Sequence, residues 1–175
     1  ADLTIENGYV IAKTKKLTGA HVFLGGPSGS SVLATANVMM AAVKAQGTTH
    51  IEGAACEPEL VDLANFLVAM GAKISGAGTP LIEIEGVSRL QGATYDVIPD
   101  RIEAGTYLLA GLVTHGDVTV THARSEHLGA VIDKLKETGG QIDVNGNGTI
   151  RCCASGDLKP VGVTTLPYPG FPTDL

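Results

Sequence analysis

The sequence predicts an α/β (α+β) fold in which helices pack on sheets. Two observations lead to it. Strand-like and helix-like segments alternate along the chain. A long stretch also recurs: "AAVKAQGTTHIEGAACEPELVDLANFLVAMGAKI" (Ala41–Ile74) and "AGLVTHGDVTVTHARSEHLGAVIDKLKETGGQI" (Ala110–Ile142) both read helix end, Gly, strand, Ala, Glu, helix, Gly, strand. Gly47 matches Gly116 and Ala54 matches Ala123; after a one-residue deletion Leu67, Gly71 and Ile74 match Leu135, Gly139 and Ile142. A spacing of about 70 residues exceeds that of the common solenoids and points to a duplicated supersecondary unit.

Each element has its own justification. Leu60, Leu63, Ala64 and Leu67 recur at helical spacing, Pro58 sits where a first-turn residue needs no N–H, and Gly71 suits a left-handed cap. Leu128, Val131, Ile132 and Leu135, closed by Gly139, repeat the pattern. "LIEIEG" alternates as a half-buried strand does, "TYDVI" and "GTIRCCA" read as further strands, and "NGNG" (Asn145–Gly148) reads as a hairpin turn. A second echo, starting near Leu17, Leu90 and Leu158, reads each time as a strand, a Pro-containing turn and a helix or its start. In the middle copy Asp100 and Glu103 form a capping-box-like pair. The last copy, "LKPVGVTTLPYPGFPTDL", would bring Asp174 to a helix entrance at a turn stiffened by Pro167, Pro169 and Pro172. The unit therefore reads β-α-β-α-β-β.

Composition narrows the function classes. The 175 residues allow one ordinary domain or two small ones. With 44% hydrophobic residues, 4% aromatics and no Trp, the core must be aliphatic. Net charge is −6 and no basic cluster exceeds "KTKK" (Lys13–Lys16), which argues against a nucleic-acid partner. Three cysteines without a CxxC pair argue against a disulfide framework or a zinc site. Cys152 and Cys153 would face opposite sides of a strand. The longest apolar run, Tyr107–Val113, is too short to span a bilayer, and the opening residues carry no signal-peptide pattern. A cytoplasmic location without membrane partners is expected.

Among residues that carry chemistry, "GGPSGSS" (Gly25–Ser31) reads either as a ligand loop or as a Gly-rich turn capped by Ser30 or Ser31; no Gly-Lys-Ser/Thr follows, so it is not a P-loop. Glu57 and Glu59 read as first-turn acids facing a helix dipole. Arg101 reads either as a functional residue or as a partner in a hinge salt bridge. His21, His50, His115, His122 and His127 have no metal-ligand spacing and read as strand or surface residues.

"SVLATANVMMAA", "QGTTHIEGAACEPELVDLANFLVAMGAKISGAGT", "IEGVSRLQGATYDVIPDRIEAGTYLLAG" and "FPTDL" together resemble the UDP-N-acetylglucosamine 1-carboxyvinyltransferases, of the enolpyruvyl transferase family, over nearly the whole chain. The resemblance implies inside-out α/β barrels built of βαβαββ units. Residues 1–98 would form part of one barrel, 99–102 the crossing, and 103–175 part of a second, with both ends of the family's chain outside this sequence. It implies transfer of the enolpyruvyl group of phosphoenolpyruvate to the 3-hydroxyl of UDP-N-acetylglucosamine, without metal or organic cofactor. Asp174, the acid of "PTD", would be the base. Gly29, Ser30, Ser31 and Val32 would bind the uridine nucleotide, although Leu33 stands where the family commonly has glycine, and the lysine common at position 29 is absent. The family's Lys-Asn pair, mobile Cys loop and several arginines have no match here, and Cys56 is not that cysteine. The alternatives are a shikimate-pathway enolpyruvyl transferase and a noncatalytic α/β scaffold. Exposed sheet edges lead to an expectation of self-association.

Overall fold

The computed structural model describes residues 2–27 and 29–175, and the chain divides into two compact units, Ala1–Asp96 and Val97–Leu175. Unit one opens with a hairpin of β1 (Asp2–Glu6) and β2 (Tyr9–Lys13), turned at Asn7 and Gly8, both with positive φ. β3 (His21–Phe23) follows, then a two-strand ribbon of β4 (Gly25–Gly26) and β5 (Gly29–Ser30). Next come α1 (Val32–Ala42), β6 (Thr48–Glu52), α2 (Pro58–Ala69), β7 (Lys73–Ser75) and β8 (Leu81–Glu85). The main sheet runs β3-β6-β8-β7, with β3 parallel to β6 and the other pairs antiparallel. From β3 onward the unit is therefore βαβαββ.

Unit two repeats the pattern from the first helix onward. It contains α3 (Arg101–Val113), β9 (Asp117–Val120), a short 3₁₀ turn (Ser125–His127), α4 (Gly129–Glu137), β10 (Gln141–Asn145) and β11 (Thr149–Cys153). Its sheet order, β9-β11-β10, is that of β6-β8-β7.

The repeat extends to single hydrogen bonds. The Ala54 N–H donates to Pro80 O at the tip of the β7–β8 hairpin, and the Ala123 N–H donates to Gly148 O at the tip of β10–β11. Each of the second helices ends in a left-handed glycine, Gly71 (φ 100°) or Gly139 (φ 95°), as the sequence predicts. The carbonyl at the end of each is taken by a residue leaving the hairpin: Gln91 N–H to Met70 O, and Lys159 N–H to Thr138 O. One match fails: Gly47 (φ 88°) carries the left-handed turn in unit one, but in unit two His115 (φ 52°) carries it one residue before Gly116.

Burial follows the alternation read from sequence. Ile82 and Ile84 of β8 point inward with Ile51, Met39, Ala64 and Leu67. In unit two Leu108, Leu112, Leu128, Val131, Ile132, Leu135, Ile150 and Cys152 form the core. Cys152 is buried, while Cys153, on the other side of the strand, is only half-buried.

Two expected strands do not form. "TYDVI" is irregular, because the Tyr95 ring packs against Phe66 (centroids 5.3 Å apart) and its hydroxyl donates to Asp62 Oδ1 at 2.8 Å. The segment is thus drawn onto α2 and makes no ladder. The third echo, "LKPVGVTT", is also irregular; Pro160 supplies no N–H, and the only bridge described there joins Thr165 to Phe171.

One buried polar link stands out. Thr35, fully buried in α1, donates its hydroxyl to Ser31 O (2.8 Å) and accepts from the Ala55 N–H (3.1 Å), tying α1 to the loop before α2. Thr35→Val is expected to leave that N–H unpaired and lower stability by about 1–3 kcal/mol in urea unfolding. Leu108→Ala, at a fully buried site, is expected to lower it by about 2–5 kcal/mol. Arg151→Ala, which removes an exposed pair with Asp117, is expected to have a smaller effect than either.

Candidate functional site

The expected nucleotide loop lies in unit one, at the start of α1. Gly29 has φ +98°, a conformation that only glycine adopts freely, and pairs with Gly26 in the short ribbon; Ser28 lies outside the described residues. Ser31 is the N-cap: its Oγ accepts from the Ala34 N–H at 3.3 Å, and its carbonyl accepts from the Thr35 N–H at 2.9 Å. Of the two cap residues the sequence left open, the structure selects Ser31. The N–H groups of Val32 and Leu33 have no acceptor within the helix. With no acid in the first turn, this end of α1 presents a positive dipole and N–H groups outside the helical ladder, which suits a phosphate. Leu33 is 76% exposed on that first turn.

Glu57, which the sequence places at the helix dipole, lies at the start of α2. It holds the N-cap position of α2 but makes no side-chain capping bond; the side chain is buried, with Oε2 lacking a hydrogen-bond partner. Only Glu59 is a first-turn acid. The neighbouring Cys56 thiol is pushed up by burial and then by the Glu57 carboxylate, so it is a poor nucleophile at neutral pH. The Cys152 thiol, buried on β11, is pushed up to about 11.

Asp174 lies in unit two, in a turn after Phe171 and Pro172. Its carboxylate is exposed, whereas Phe171 and Pro172 are buried and Leu175 packs on the α3–α4 core. Leu166 N–H donates to Phe171 O (3.0 Å) and Gly170 N–H to Pro167 O (2.9 Å), closing the loop ahead of it. The Tyr168–Pro169 peptide is cis. The carboxylate is thus held in solvent by a turn whose apolar neighbours are packed away.

Two features escaped the sequence reading. Thr35 fixes the floor of the α1 loop; nothing in its local pattern distinguishes it from an ordinary helical residue. His21 and His50 stack at 4.5 Å between centroids because parallel pairing of β3 with β6 sets them side by side, and His50 Nδ1 lies 3.5 Å from Glu83 Oε2. Among the described residues no group of three or more His, Cys, Asp or Glu side chains is arranged to hold a metal ion, and no helix is long and apolar enough to cross a membrane.

Comparison with known proteins bears on both units. A "UDP-N-acetylglucosamine 1-carboxyvinyltransferase" of Methylacidiphilum infernorum is 52% identical over the whole chain, and one of Halothermothrix orenii is 54% identical. The chain spans about 41% of the length of each. Among solved structures, the enolpyruvyl transferase NikO from Streptomyces tendae superposes with a TM-score of 0.82 over 97% of this chain and 43% of its own, at 24% identity, which establishes the fold. The family described as EPSP synthase (3-phosphoshikimate 1-carboxyvinyltransferase) matches residues 1–175. The chain therefore belongs to that enolpyruvyl transferase family, with the α/β fold its repeats predict.

Proposed function

We propose that this chain serves a UDP-N-acetylglucosamine 1-carboxyvinyltransferase, which moves the enolpyruvyl group of phosphoenolpyruvate onto the sugar 3-hydroxyl in the cytoplasm, an early step of peptidoglycan synthesis. The observation that carries this reading is the identity of 50–54% over the full chain to relatives of that name. Identity at this level favours the sugar enzyme over the shikimate-pathway enzyme that gives the family its description.

In this reading the N-terminus of α1, from Gly29 to Val32, receives the nucleotide's phosphates on backbone N–H groups. Asp174 takes the proton from the sugar hydroxyl as its oxygen bonds to C2 of phosphoenolpyruvate, while an acid protonates C3. The tetrahedral adduct then loses a C3 proton and breaks its C–O bond to phosphate, which restores the double bond. The acid and the remaining phosphate-binding cations are contributed by residues outside this sequence, so the 175 residues alone are expected to be inactive.

Substituting Asp174→Ala in the full-length protein is expected to lower substrate-dependent phosphate release by about 10²- to 10⁴-fold while UDP-N-acetylglucosamine still binds. Release that survives would reduce Asp174 to a helix cap, and no release from folded wild type would favour the sister enzyme or a scaffold. The isolated chain exposes Leu3 (69%), Ile5 (78%), Tyr9 (74%) and Val10 (72%) on its first hairpin, which supports self-association. Oligomers are expected by light scattering after size exclusion; a monodisperse monomer contradicts this.

A further inference from the structure

The turn that carries Asp174 is held from one helix face. Arg101 and Gly105 of α3 stand one turn apart on the same side. The Arg101 guanidinium carbon lies 5.3 Å from the centroid of the Tyr168 ring, a cation–π contact. Gly105 is buried, and a Cβ there would come within 2.6 Å of Leu175 Cδ1. The first turns of α3 thus touch Tyr168 before Asp174 and Leu175 after it. Asp100, capping the same helix with bonds to the N–H groups of Ile102 (2.8 Å) and Glu103 (3.2 Å), fixes the backbone from which Arg101 projects. The Tyr168 hydroxyl donates to Glu126 O at 3.5 Å, a long bond, so the ring face is the stronger contact.

We propose that Arg101 and Tyr168 are positioning residues for Asp174: the guanidinium clamps the aromatic ring and so fixes where the carboxylate stands. The proposal rests on the reading of Asp174 as the base. An exposed carboxylate has no buried partner of its own to fix it, so its place depends on how its turn is anchored. A displacement of about 1 Å at a proton-transfer group can lower a rate about a hundredfold, so a contact of modest strength has kinetic leverage here. The clamp needs a planar cation and an aromatic face, and does not need the phenol hydroxyl.

The test uses the full-length enzyme with Tyr168→Leu, Arg101→Met, the double variant and Tyr168→Phe, and reads kcat, KM and deuterium uptake at residues 166–175. Tyr168→Leu and Arg101→Met are each expected to lower kcat about tenfold with KM for the UDP-sugar within about twofold, and to raise uptake in that segment. The double variant is expected to fall no further than the more affected single one, because the contact between guanidinium and ring is lost in all three. Tyr168→Phe is expected to stay within about twofold of wild type. The proposal is overturned if uptake or kcat is unchanged in Tyr168→Leu and Arg101→Met, or if Tyr168→Phe behaves like Tyr168→Leu. Asp174→Asn is measured alongside. Full activity there overturns the base reading and leaves the clamp to be decided by uptake; lost activity there with unchanged kcat in Tyr168→Leu overturns the clamp alone.

Discussion

Each unit depends on one constraint: its hairpin must lie over the helices in a single register. Ile82 and Ile84 face the core in one unit, and Ile150 and Cys152 in the other, with Glu83 and Arg151 outward between them and Glu85 outward beside Ile84. A slip of one residue would exchange these sets and drive charges inward. Burying each aliphatic side chain contributes about 1.5–3 kcal/mol, so the correct register is strongly favoured over its neighbours. Two backbone bonds pin it at opposite ends, one at the hairpin tip from Ala54 or Ala123 and one at the helix end to Met70 or Thr138. Surface pairs such as Lys73–Glu85 decorate a register that the core has already chosen.

That constraint explains what could be read from sequence. Alternation in "LIEIEG" and "GTIRCC", helical spacing in Leu60–Leu67 and Leu128–Leu135, and the glycines at 71 and 139 are local consequences of the buried face and the left-handed cap, so they mark their elements directly. Asp100 as a cap is equally local. The misses are cases where a distant partner decides. "TYDVI" has strand composition, but Tyr95 finds Phe66 and Asp62 on α2. Thr35 acquires its role from Ala55, twenty residues on. The His21–His50 stack exists only because β3 and β6 pair in parallel. The Asn7-Gly8 turn, in contrast, carried a plain hairpin signal that the reading passed over.

The candidate site shows the same division. The proline-rich approach to Asp174 was legible as a stiffened turn. Its anchors were not, because Arg101 and Gly105 lie some seventy residues earlier and meet the turn only in the folded unit. The turn buries apolar residues on either side of the acid and leaves the acid itself in solvent, which separates the energetics of holding the loop from the chemistry of the carboxylate.

A crystal structure of the full-length protein with UDP-N-acetylglucosamine tests the central claim most directly. The expected result is an Asp174 carboxylate oxygen about 2.6–3.2 Å from the sugar 3-hydroxyl. A sugar whose 3-hydroxyl meets another residue, with Asp174 turned onto backbone N–H groups as a cap, would contradict it.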